Sequence, residues 1–267
     1  MQQNISEQDA PFNGGWKLVA FDLDDTLAPS KSPLPEPVGE ALKALLDLVP
    51  VAVISGGALP QFRLQLLDSL DASKTQSDVL HLLPTCGTQY LRFREGDLVQ
   101  LYRQSLTQEQ RERAAAALES QARQLGLWEA NPAGDIIEDR GSQVTFSALG
   151  QEASPEAKAA WDPTGEKKNL LASRVQELLP ELEVRSGGST SVDITAKGID
   201  KAYGMAQLEK QTGLPKDRMV FVGDRLDPAG NDYPVRAAGY PTISTTGWED
   251  TVDIIWQLVE QLEKAEG

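Results

Sequence analysis

The sequence predicts an α/β fold in which helices cover a parallel sheet and a smaller α+β unit is inserted into the chain. Short apolar runs suited to buried strands alternate with helical segments near both ends of the sequence. The middle of the sequence has paired strands joined by tight turns instead. We therefore expect one core domain that is split around a second unit. The expected bounds are 1–87 plus 191–267 for the core and 88–190 for the insertion.

The first part of the core has a polar lead-in over residues 1–16, which we expect to be a loose segment. Apolar runs of four or five residues then predict buried strands, and apolar positions three and four apart predict helices. Proline-rich and glycine-rich stretches separate these elements. The predicted elements, in chain order, are strand 17–21, helix 38–49, strand 51–54, a helix around 59–70 and strand 82–86.

The insertion is predicted from turn signals between short β-type runs, each pair being followed by a helical segment. From residue 200 the alternation of helix and buried strand returns, which completes the core. The predicted elements of the insertion are hairpin 89–93/98–102, helix 107–126, hairpin 135–139/142–148, helix 165–179 and strand pair 181–185/190–195. Those of the returning core are helix 201–211, strand 219–222, strand 241–244 and helix 249–264.

The charge balance excludes two classes of partner. The chain has 25 Lys and Arg against 40 Asp and Glu, a net charge of −15. A nucleic-acid binder needs a basic face, and anionic lipid attracts basic segments, so we expect neither partner. Any anion that this protein binds must be held by a local arrangement of positive groups, because the overall field repels it.

The scarcity of cysteine and histidine excludes further chemistry. One cysteine, Cys86, rules out an internal disulfide and a thiolate zinc site, and one histidine, His81, argues against a serine–histidine triad. We expect His81 at the surface or at a strand edge, and Cys86 as a buried residue at the end of a strand. The sequence has no signal-peptide pattern and no apolar run long enough for a membrane span, so we expect a soluble, cytoplasmic protein.

Chemistry-bearing side chains follow the predicted core strands where each strand ends, which is where open α/β sheets bind ligands. The first strand is followed by Asp22, Asp24 and Thr26, and a later one by Asp224. Carboxylates brought together at one edge repel each other unless a cation lies between them, and Mg²⁺ prefers such oxygen ligands. Ser55, followed by two glycines, offers a hydroxyl and open backbone N–H groups to a phosphate.

These residues resemble the motifs of the haloacid dehalogenase-like (HAD) phosphohydrolases. Phe21-Asp22-Leu23-Asp24-Asp25-Thr26-Leu27 is similar to the first motif and Ile54-Ser55-Gly56-Gly57 to the second. Lys201 stands for the third, and Gly223-Asp224 with Asn231-Asp232 stands for the fourth. The insertion resembles the type IIB cap, an α+β lid. The stretch from Gly223 to Tyr233 is most similar to the eukaryotic-type phosphomannomutase branch.

The resemblance implies a role for each residue. Asp22 is the expected nucleophile, and Asp24 the expected general acid and then general base. Mg²⁺ is expected on Asp22, Asp224 and the backbone carbonyl of Asp24. Lys201 is expected to hold the phosphoryl oxygens. The other residues implied are Thr26, Ser55 and Gly56 as phosphate contacts, and Asn231 and Asp232 as supports of the lysine or the metal.

In the cap, the resemblance implies substrate contacts from Arg140, Ser191 and Asp193, and a homodimer formed through this unit. The sequence has Gly150-Gln151 where the family has Gly-Arg, and an amide carries no charge for a second phosphate. We therefore expect hydrolysis of a small phosphorylated sugar or sugar acid. The alternative is a phosphomannomutase-like hexose phosphate mutase, and a third possibility is a non-catalytic binding protein on the same fold.

Overall fold

The computed structural model describes residues 15–266 and divides the chain into two compact units. The first unit combines the sequence up to Tyr102 with the sequence from Asp200 onward, and the second consists of Arg103–Ile199. Each unit has its own apolar core. The lead-in expected over residues 1–16 lies, as far as residue 14, outside the described residues.

Strands and helices alternate through the first unit, as the periodicity predicts, and the second unit, Arg103–Ile199, adds four strands and three helices. The strands are β1 (Leu18–Phe21), β2 (Val51–Ile54), β3 (Leu80–Leu83), β4 (Gln89–Arg94), β5 (Asp97–Arg103), β6 (Ile137–Asp139), β7 (Gln143–Ser147), β8 (Leu182–Ser186), β9 (Ser191–Ala196), β10 (Met219–Gly223) and β11 (Thr242–Ser244). The helices are α1 (Glu36–Leu46), α2 (Leu59–Phe62), α3 (Asp68–Leu70), α4 (Lys74–Asp78), α5 (Pro84–Gly87), α6 (Gln108–Gln124), α7 (Pro155–Trp161), α8 (Glu166–Leu178), α9 (Lys201–Thr212), α10 (Tyr233–Ala237) and α11 (Trp248–Glu266). A π-helical turn, Arg63–Leu67, joins α2 to α3, and a 3₁₀ turn, Lys216–Arg218, precedes β10. Within residues 15–266, no helix has the length and apolar character needed to cross a membrane.

The first unit is built on a seven-stranded sheet in the order β11-β10-β1-β2-β3-β4-β5. The strands from β11 to β3 in this order run parallel, and β4 pairs with β3 in the antiparallel sense. Helices α1 and α11 pack on one face, where Val19 and Val53 lie, and α9 and α10 pack on the other, against Ala20 and Ile54. The central strands are therefore apolar on both faces, as expected for a parallel sheet between two helical layers.

The hairpin β4–β5 lies at the edge of this first sheet, although the expected bounds put it in the insertion. Leu91 pairs with Leu82 of β3, and Tyr90 and Leu91 are buried in the cores of the first unit. The division between the units therefore falls after residue 102 rather than after residue 87. A local hairpin pattern predicts the turn and the two strands, but it does not reveal which sheet the pair joins.

The third predicted strand ends three residues earlier than expected. Pro84 has no N–H for the ladder, and Thr85 and Cys86 adopt left-handed backbone conformations, with φ of 48° and 56°. Cys86 is half-buried rather than fully buried. The resulting turn supports the loop after β2, because Cys86 N donates to the Ser55 carbonyl and Thr85 N to the Gly57 carbonyl, both at 2.9 Å.

The second unit is an antiparallel sheet, β6-β7-β9-β8, with α6 and α8 packed on one face. Val144 and Phe146 of β7 and Val192 and Ile194 of β9 point into the core on that face. The expected bound between residues 190 and 191 cuts through the predicted strand pair 181–185/190–195. In the structure the alternation of buried side chains makes β9 a central strand of the second sheet. The division of the units falls before Asp200 instead.

His81 is buried inside the first sheet, so the expectation of a surface or edge position is wrong. Its strand pairs on both sides, its side chain is 2% exposed, and its Nδ1 lies 2.6 Å from the hydroxyl of Tyr90. The Tyr90 ring stacks on Tyr102 at 5.8 Å between centroids. Burial, together with the charge of Arg92, lowers the pKa of His81 from 6.5 to about 3.

Replacement of His81 by Gln should reduce the acid sensitivity of the fold. Between pH values of about 6.5 and 3, His81 binds a proton in the unfolded chain but not in the folded protein. The free energy of unfolding therefore decreases as the pH falls through this range. We expect this residue to contribute a slope of up to about 1.4 kcal/mol per pH unit in that window. Urea unfolding of both proteins at a series of pH values measures it, and parallel stability curves would contradict this account.

Candidate active site

Three of the predicted site residues meet at the carboxyl edge of the parallel sheet. Asp22 follows β1, Ser55 follows β2, and Asp224 follows β10. Because β1 lies between β2 and β10, these residues lie side by side. The backbone N–H of Asp22 donates to the Val222 carbonyl at 3.0 Å, which extends the ladder to the start of the site. Open α/β sheets bind ligands at this edge.

Lys201 supplies a positive charge at this edge from the first turn of α9. Its Nζ lies 2.7 Å from Asp22 Oδ1 and 2.5 Å from Asp232 Oδ1. The three side chains are at most 4% exposed, so the contacts are shielded from water. A lysine in the first turn of a helix opposes the helix dipole. Its contacts with two carboxylates account for this unfavourable position.

Two glycines bring α9 close enough to the sheet for these contacts. A Cβ on Gly204 would lie 2.9 Å from Cγ2 of Ile54, and a Cβ on Gly87 would lie 2.6 Å from the Cα of Gly204. A side chain at either position would therefore separate the helix from β2 and from the turn after β3. The absence of these side chains places the first residue of α9, Lys201, beside the strand ends.

Burial sets the protonation of the cluster. Desolvation raises the pKa of Asp22 well above its usual value; the ammonium of Lys201 opposes this rise, and the neighbouring carboxylates add to it. Burial alone would lower the pKa of Lys201, but Asp22 and Asp232 outweigh it and raise that pKa. Burial also raises the pKa of Asp224, and the charge of Asp232 contributes. Lys201 is therefore charged at neutral pH and is surrounded by acidic groups.

Asp22, Asp224 and Asp232 form a group that fits a divalent cation. Each offers a carboxylate oxygen, and these oxygens all lie within 4.8 Å of one another. When all three are ionised, Lys201 balances only part of their charge, and hard oxygen donors are what Mg²⁺ prefers. Both oxygens of Asp232 already accept hydrogen bonds, from Lys201 and from the backbone N–H of Arg225. Asp22 and Asp224 would therefore be the better ligands of such a cation, with Asp232 as their support.

The loop after β2 has the features of a phosphate cradle. Ser55 is 2% exposed, and its Oγ accepts a hydrogen bond from the backbone N–H of Gly57 at 3.0 Å. A Cβ on Gly56 would meet no atom within 4 Å, so the backbone at this residue faces open space. The hydroxyl and the backbone N–H groups of such a turn suit the oxygens of a phosphoryl group.

Two other predicted residues have surroundings that the sequence did not indicate. Thr26 is fully buried, and its hydroxyl donates to Asp224 Oδ1 at 3.2 Å, so it orients a carboxylate. Asn231 is exposed to solvent, although its neighbour Asp232 is fully buried. The structure therefore brings Asp232, rather than Asn231, into the cluster around Lys201.

Asp24 is held by hydrogen bonds on both carboxylate oxygens. Oδ2 accepts from Gln61 Nε2 at 2.8 Å, and Oδ1 accepts from Gln65 Nε2 at 3.1 Å and from the backbone N–H of Lys31 at 2.9 Å. Neither glutamine is among the predicted site residues. The signal that points to them is a pair of glutamines four residues apart, directly after the Ser-Gly-Gly turn.

Arg140, Ser191 and Asp193 lie in the second unit. The side chain of Arg140 is 8% exposed, and its Nη2 donates to Glu138 Oε2 at 2.8 Å. Asp193 Oδ1 accepts a hydrogen bond from the Thr145 hydroxyl at 2.8 Å on the face of the sheet that carries polar side chains. Ser191 is partly buried at the start of β9. Their contact with a substrate stays a prediction.

The fold and the carboxylate–lysine edge define a HAD-like protein. A haloacid dehalogenase-like hydrolase from Bacteroides thetaiotaomicron superposes with a TM-score of 0.60 at 15% identity, covering 91% of this chain and 99% of that one. The IMP-nucleotidase of Plasmodium falciparum superposes with a TM-score of 0.72 at 15% identity, covering 97% of this chain and 72% of that one. At these identities the likeness shows the fold alone. It confirms the predicted fold class.

The particular family follows from the sequence relatives. The profile of the eukaryotic phosphomannomutases matches residues 40–261, and this chain belongs to that family of HAD-type phosphoryl-transfer enzymes. The phosphomannomutase of Saccharomyces cerevisiae is 26% identical over 254 residues, which are 90% of this chain and 93% of the yeast protein. The resemblance found in the motifs is confirmed. Of the two activities inferred from the sequence, these relatives favour the mutase alternative over hydrolysis.

Replacement of Lys201 by Met should destabilise the fold, because it leaves Asp22 and Asp232 buried without their cation. Breaking such a buried pair typically costs about 3–5 kcal/mol. The double variant Lys201→Met/Asp232→Asn should regain part of that loss, since it removes one of the two carboxylates as well. Urea unfolding in metal-free buffer measures both. Equal stability of the single variant and the wild type would contradict a buried charge cluster.

Proposed function

We propose that this protein transfers the phosphoryl group of a phosphorylated sugar through a covalent intermediate on Asp22. The contact between Asp22 Oδ1 and Lys201 Nζ, at 2.7 Å in a buried site, carries the proposal. It favours an ionised carboxylate at a place where burial would otherwise protonate it, and an ionised carboxylate is the nucleophile that phosphoryl transfer requires.

In the first step, a carboxylate oxygen of Asp22 attacks phosphorus and forms an acyl phosphate while the bond to the sugar oxygen breaks. The phosphoryl oxygens carry negative charge throughout, and positioning and charge neutralisation provide most of the catalysis. Lys201 from one side, and the Ser55 hydroxyl with the Gly56 N–H from the other, are the groups that would bind these oxygens.

Asp24 is the group that would move the proton. It follows Asp22 by two residues, and its carboxyl group would protonate the departing sugar oxygen. In the second step the same group would accept the proton of the incoming hydroxyl, which attacks the acyl phosphate and restores Asp22. One residue thus serves as acid and then as base.

The HAD fold implies a divalent metal, and we propose Mg²⁺. Asp22 and Asp224 would hold it, with the Asp24 carbonyl as a further ligand and Asp232 as a support. When bound, the ion neutralises charge on the transferring phosphoryl group. Its positive charge would also offset the repulsion among the carboxylates around Lys201.

Whether the reaction is a mutase reaction or a hydrolysis depends on which molecule supplies the incoming hydroxyl group. The relatives are phosphomannomutases, and by analogy we propose that the free hydroxyl of a hexose monophosphate accepts the phosphoryl group from Asp22. The hexose bisphosphate so formed would return the phosphoryl group at its other end to Asp22, so that hexose 1- and 6-phosphates interconvert. Hydrolysis, with water as the acceptor, is the second candidate. Gln151 favours it, because the mutase cycle requires a second phosphate to be held, and an amide provides no charge for that purpose.

The contribution of the second unit remains a proposal as well. Arg140, Ser191 and Asp193 are the side chains that we propose contact the sugar and its second phosphate. Arg185 could replace the missing guanidinium; in the structure its Nε donates to Glu183 Oε1 at 3.2 Å. We also propose a homodimer through this unit, by analogy with the family.

Replacement of Asp22 by Asn should abolish turnover, because an amide cannot form the acyl phosphate. We expect a loss of at least about 10³-fold in kcat. The matched control is Asp25→Asn, which makes the same change of charge at a neighbouring exposed residue and keeps most of the activity. Hydrolysis of p-nitrophenyl phosphate in Mg²⁺ provides the assay. Comparable rates for Asp22→Asn and the control would overturn the nucleophile assignment.

The products separate the two candidate reactions. With mannose 1-phosphate, Mg²⁺ and a catalytic amount of a hexose bisphosphate, we expect mannose 6-phosphate without a matching release of inorganic phosphate. Removal of Mg²⁺ by EDTA should abolish either reaction. Phosphorus NMR follows all three species in one sample. Inorganic phosphate as the only product would favour hydrolysis and contradict the mutase proposal.

A further inference from the structure

We propose that Gln61 and Gln65 are positioning residues, which hold the Asp24 side chain in the one orientation that lets it exchange a proton with the sugar oxygen. The inference rests on the role of Asp24 under the proposed function. It adds two residues that none of the predicted motifs contains, and it assigns a task to the helical segment that follows the Ser-Gly-Gly turn.

The geometry around Asp24 defines its orientation completely. Gln61 donates to one carboxylate oxygen at 2.8 Å and Gln65 to the other at 3.1 Å. The backbone N–H of Lys31 donates to the second oxygen from a different segment, at 2.9 Å. Because the donors approach both oxygens, rotation about either side-chain bond of Asp24 would break at least one hydrogen bond. These three hydrogen bonds therefore restrict the half-buried Asp24 side chain to one orientation, although it lies on a turn.

The burial of the Gln65 side chain is unfavourable for the stability of the fold, and a structural role alone does not explain it. Its side chain is 0% exposed, and its Oε1 is buried with no hydrogen-bond partner among residues 15–266. A buried acceptor without a partner destabilises a fold, and a leucine or methionine of similar size would avoid that penalty. The hydrogen bond from Nε2 to Asp24 is the gain that offsets it.

The backbone of this segment holds Gln65 in place. Gln65 lies in the π-helical turn, and its carbonyl accepts a hydrogen bond from the backbone N–H of Leu34 at 2.7 Å. The preceding residue, Leu64, is 56% exposed, so the turn directs Gln65 inward and Leu64 outward. Isolated π-helical turns occur frequently at functional sites.

The side chain of Gln61 passes over Gly57 on its way to Asp24. A Cβ on Gly57 would lie 2.4 Å from Oε1 of Gln61 and 2.7 Å from its Cδ. The missing side chain at Gly57 therefore leaves the space through which the amide of Gln61 extends. The phosphate loop and the support of Asp24 share Gly57, so one continuous segment forms the cradle and positions Asp24.

The test uses Gln61→Met, Gln65→Met and the double variant, which keep the side-chain volume and remove the donors. The matched control is Gln76→Met. Gln76 is also a buried glutamine of the first unit, and its Nε2 donates to a carboxylate, Asp47 Oδ1, at 2.9 Å. It lies in α4, before the start of β3 and not at the carboxyl edge.

The measurement is the rate of acyl-phosphate formation in a rapid-quench instrument, with two probes. A hexose bisphosphate has a leaving sugar oxygen that needs a proton, whereas the p-nitrophenolate of p-nitrophenyl phosphate leaves without one. We expect the rate of acyl-phosphate formation in the double variant to fall roughly 10- to 100-fold with the hexose bisphosphate, with KM almost unchanged. The fall with p-nitrophenyl phosphate should be about tenfold smaller. Gln76→Met should lose equally little with both. Equal losses for the two probes in the double variant would overturn the inference.

Two further measurements separate this inference from the proposed function. Asp24→Asn must show the same selective loss; if it does not, the acid role of Asp24 fails. A crystal structure of the double variant then still tests the positioning, because we expect more than one Asp24 rotamer there and a single rotamer in Gln76→Met. A single unchanged Asp24 rotamer in the double variant would overturn the inference, whatever the activity.

Discussion

The buried ammonium of Lys201, held between Asp22 and Asp232, is the contact on which the rest of the site depends. Two ionised carboxylates within one dry pocket repel each other strongly, and burial of either without a cation is unfavourable. With Lys201 in place at 2.7 and 2.5 Å, both can be kept beside the end of β1. The sheet determines where Asp22 lies, and the helix that begins at Lys201 determines whether it can be charged there.

The need to hold Lys201 beside Asp22 and Asp232 explains features that look unrelated along the sequence. Gly204 and Gly87 let α9 approach the sheet, and Thr26 orients the next carboxylate, Asp224. The net charge of −15 would repel an anionic substrate, so attraction has to be local. Under the proposed function, Lys201, the Ser55 turn and a divalent cation on the acidic group would be the means by which a protein of this charge binds a phosphate.

The sequence predicts the central site well, because parallel strands end at one edge and bring Asp22, Ser55 and Asp224 together without any knowledge of side-chain packing. It does not predict which sheet a hairpin joins, since the pattern of β4–β5 describes only its own turn. The burial of His81 depends on pairing with β4 from that same hairpin. Gln61 and Gln65 were missed for a related reason: their contacts with Asp24 span about 40 residues, and helical periodicity carries no information on such contacts.

The most direct test of the account is the identity of the residue that carries the phosphoryl group. The protein is mixed with Mg²⁺, mannose 1-phosphate and a hexose bisphosphate, quenched in acid and digested, and the peptides are analysed by mass spectrometry. The account predicts one phosphoryl group on Asp22, absent from the Asp22→Asn protein. A phosphoryl group on another residue, or turnover of the sugar phosphate with no modified peptide at any quench time, would contradict it.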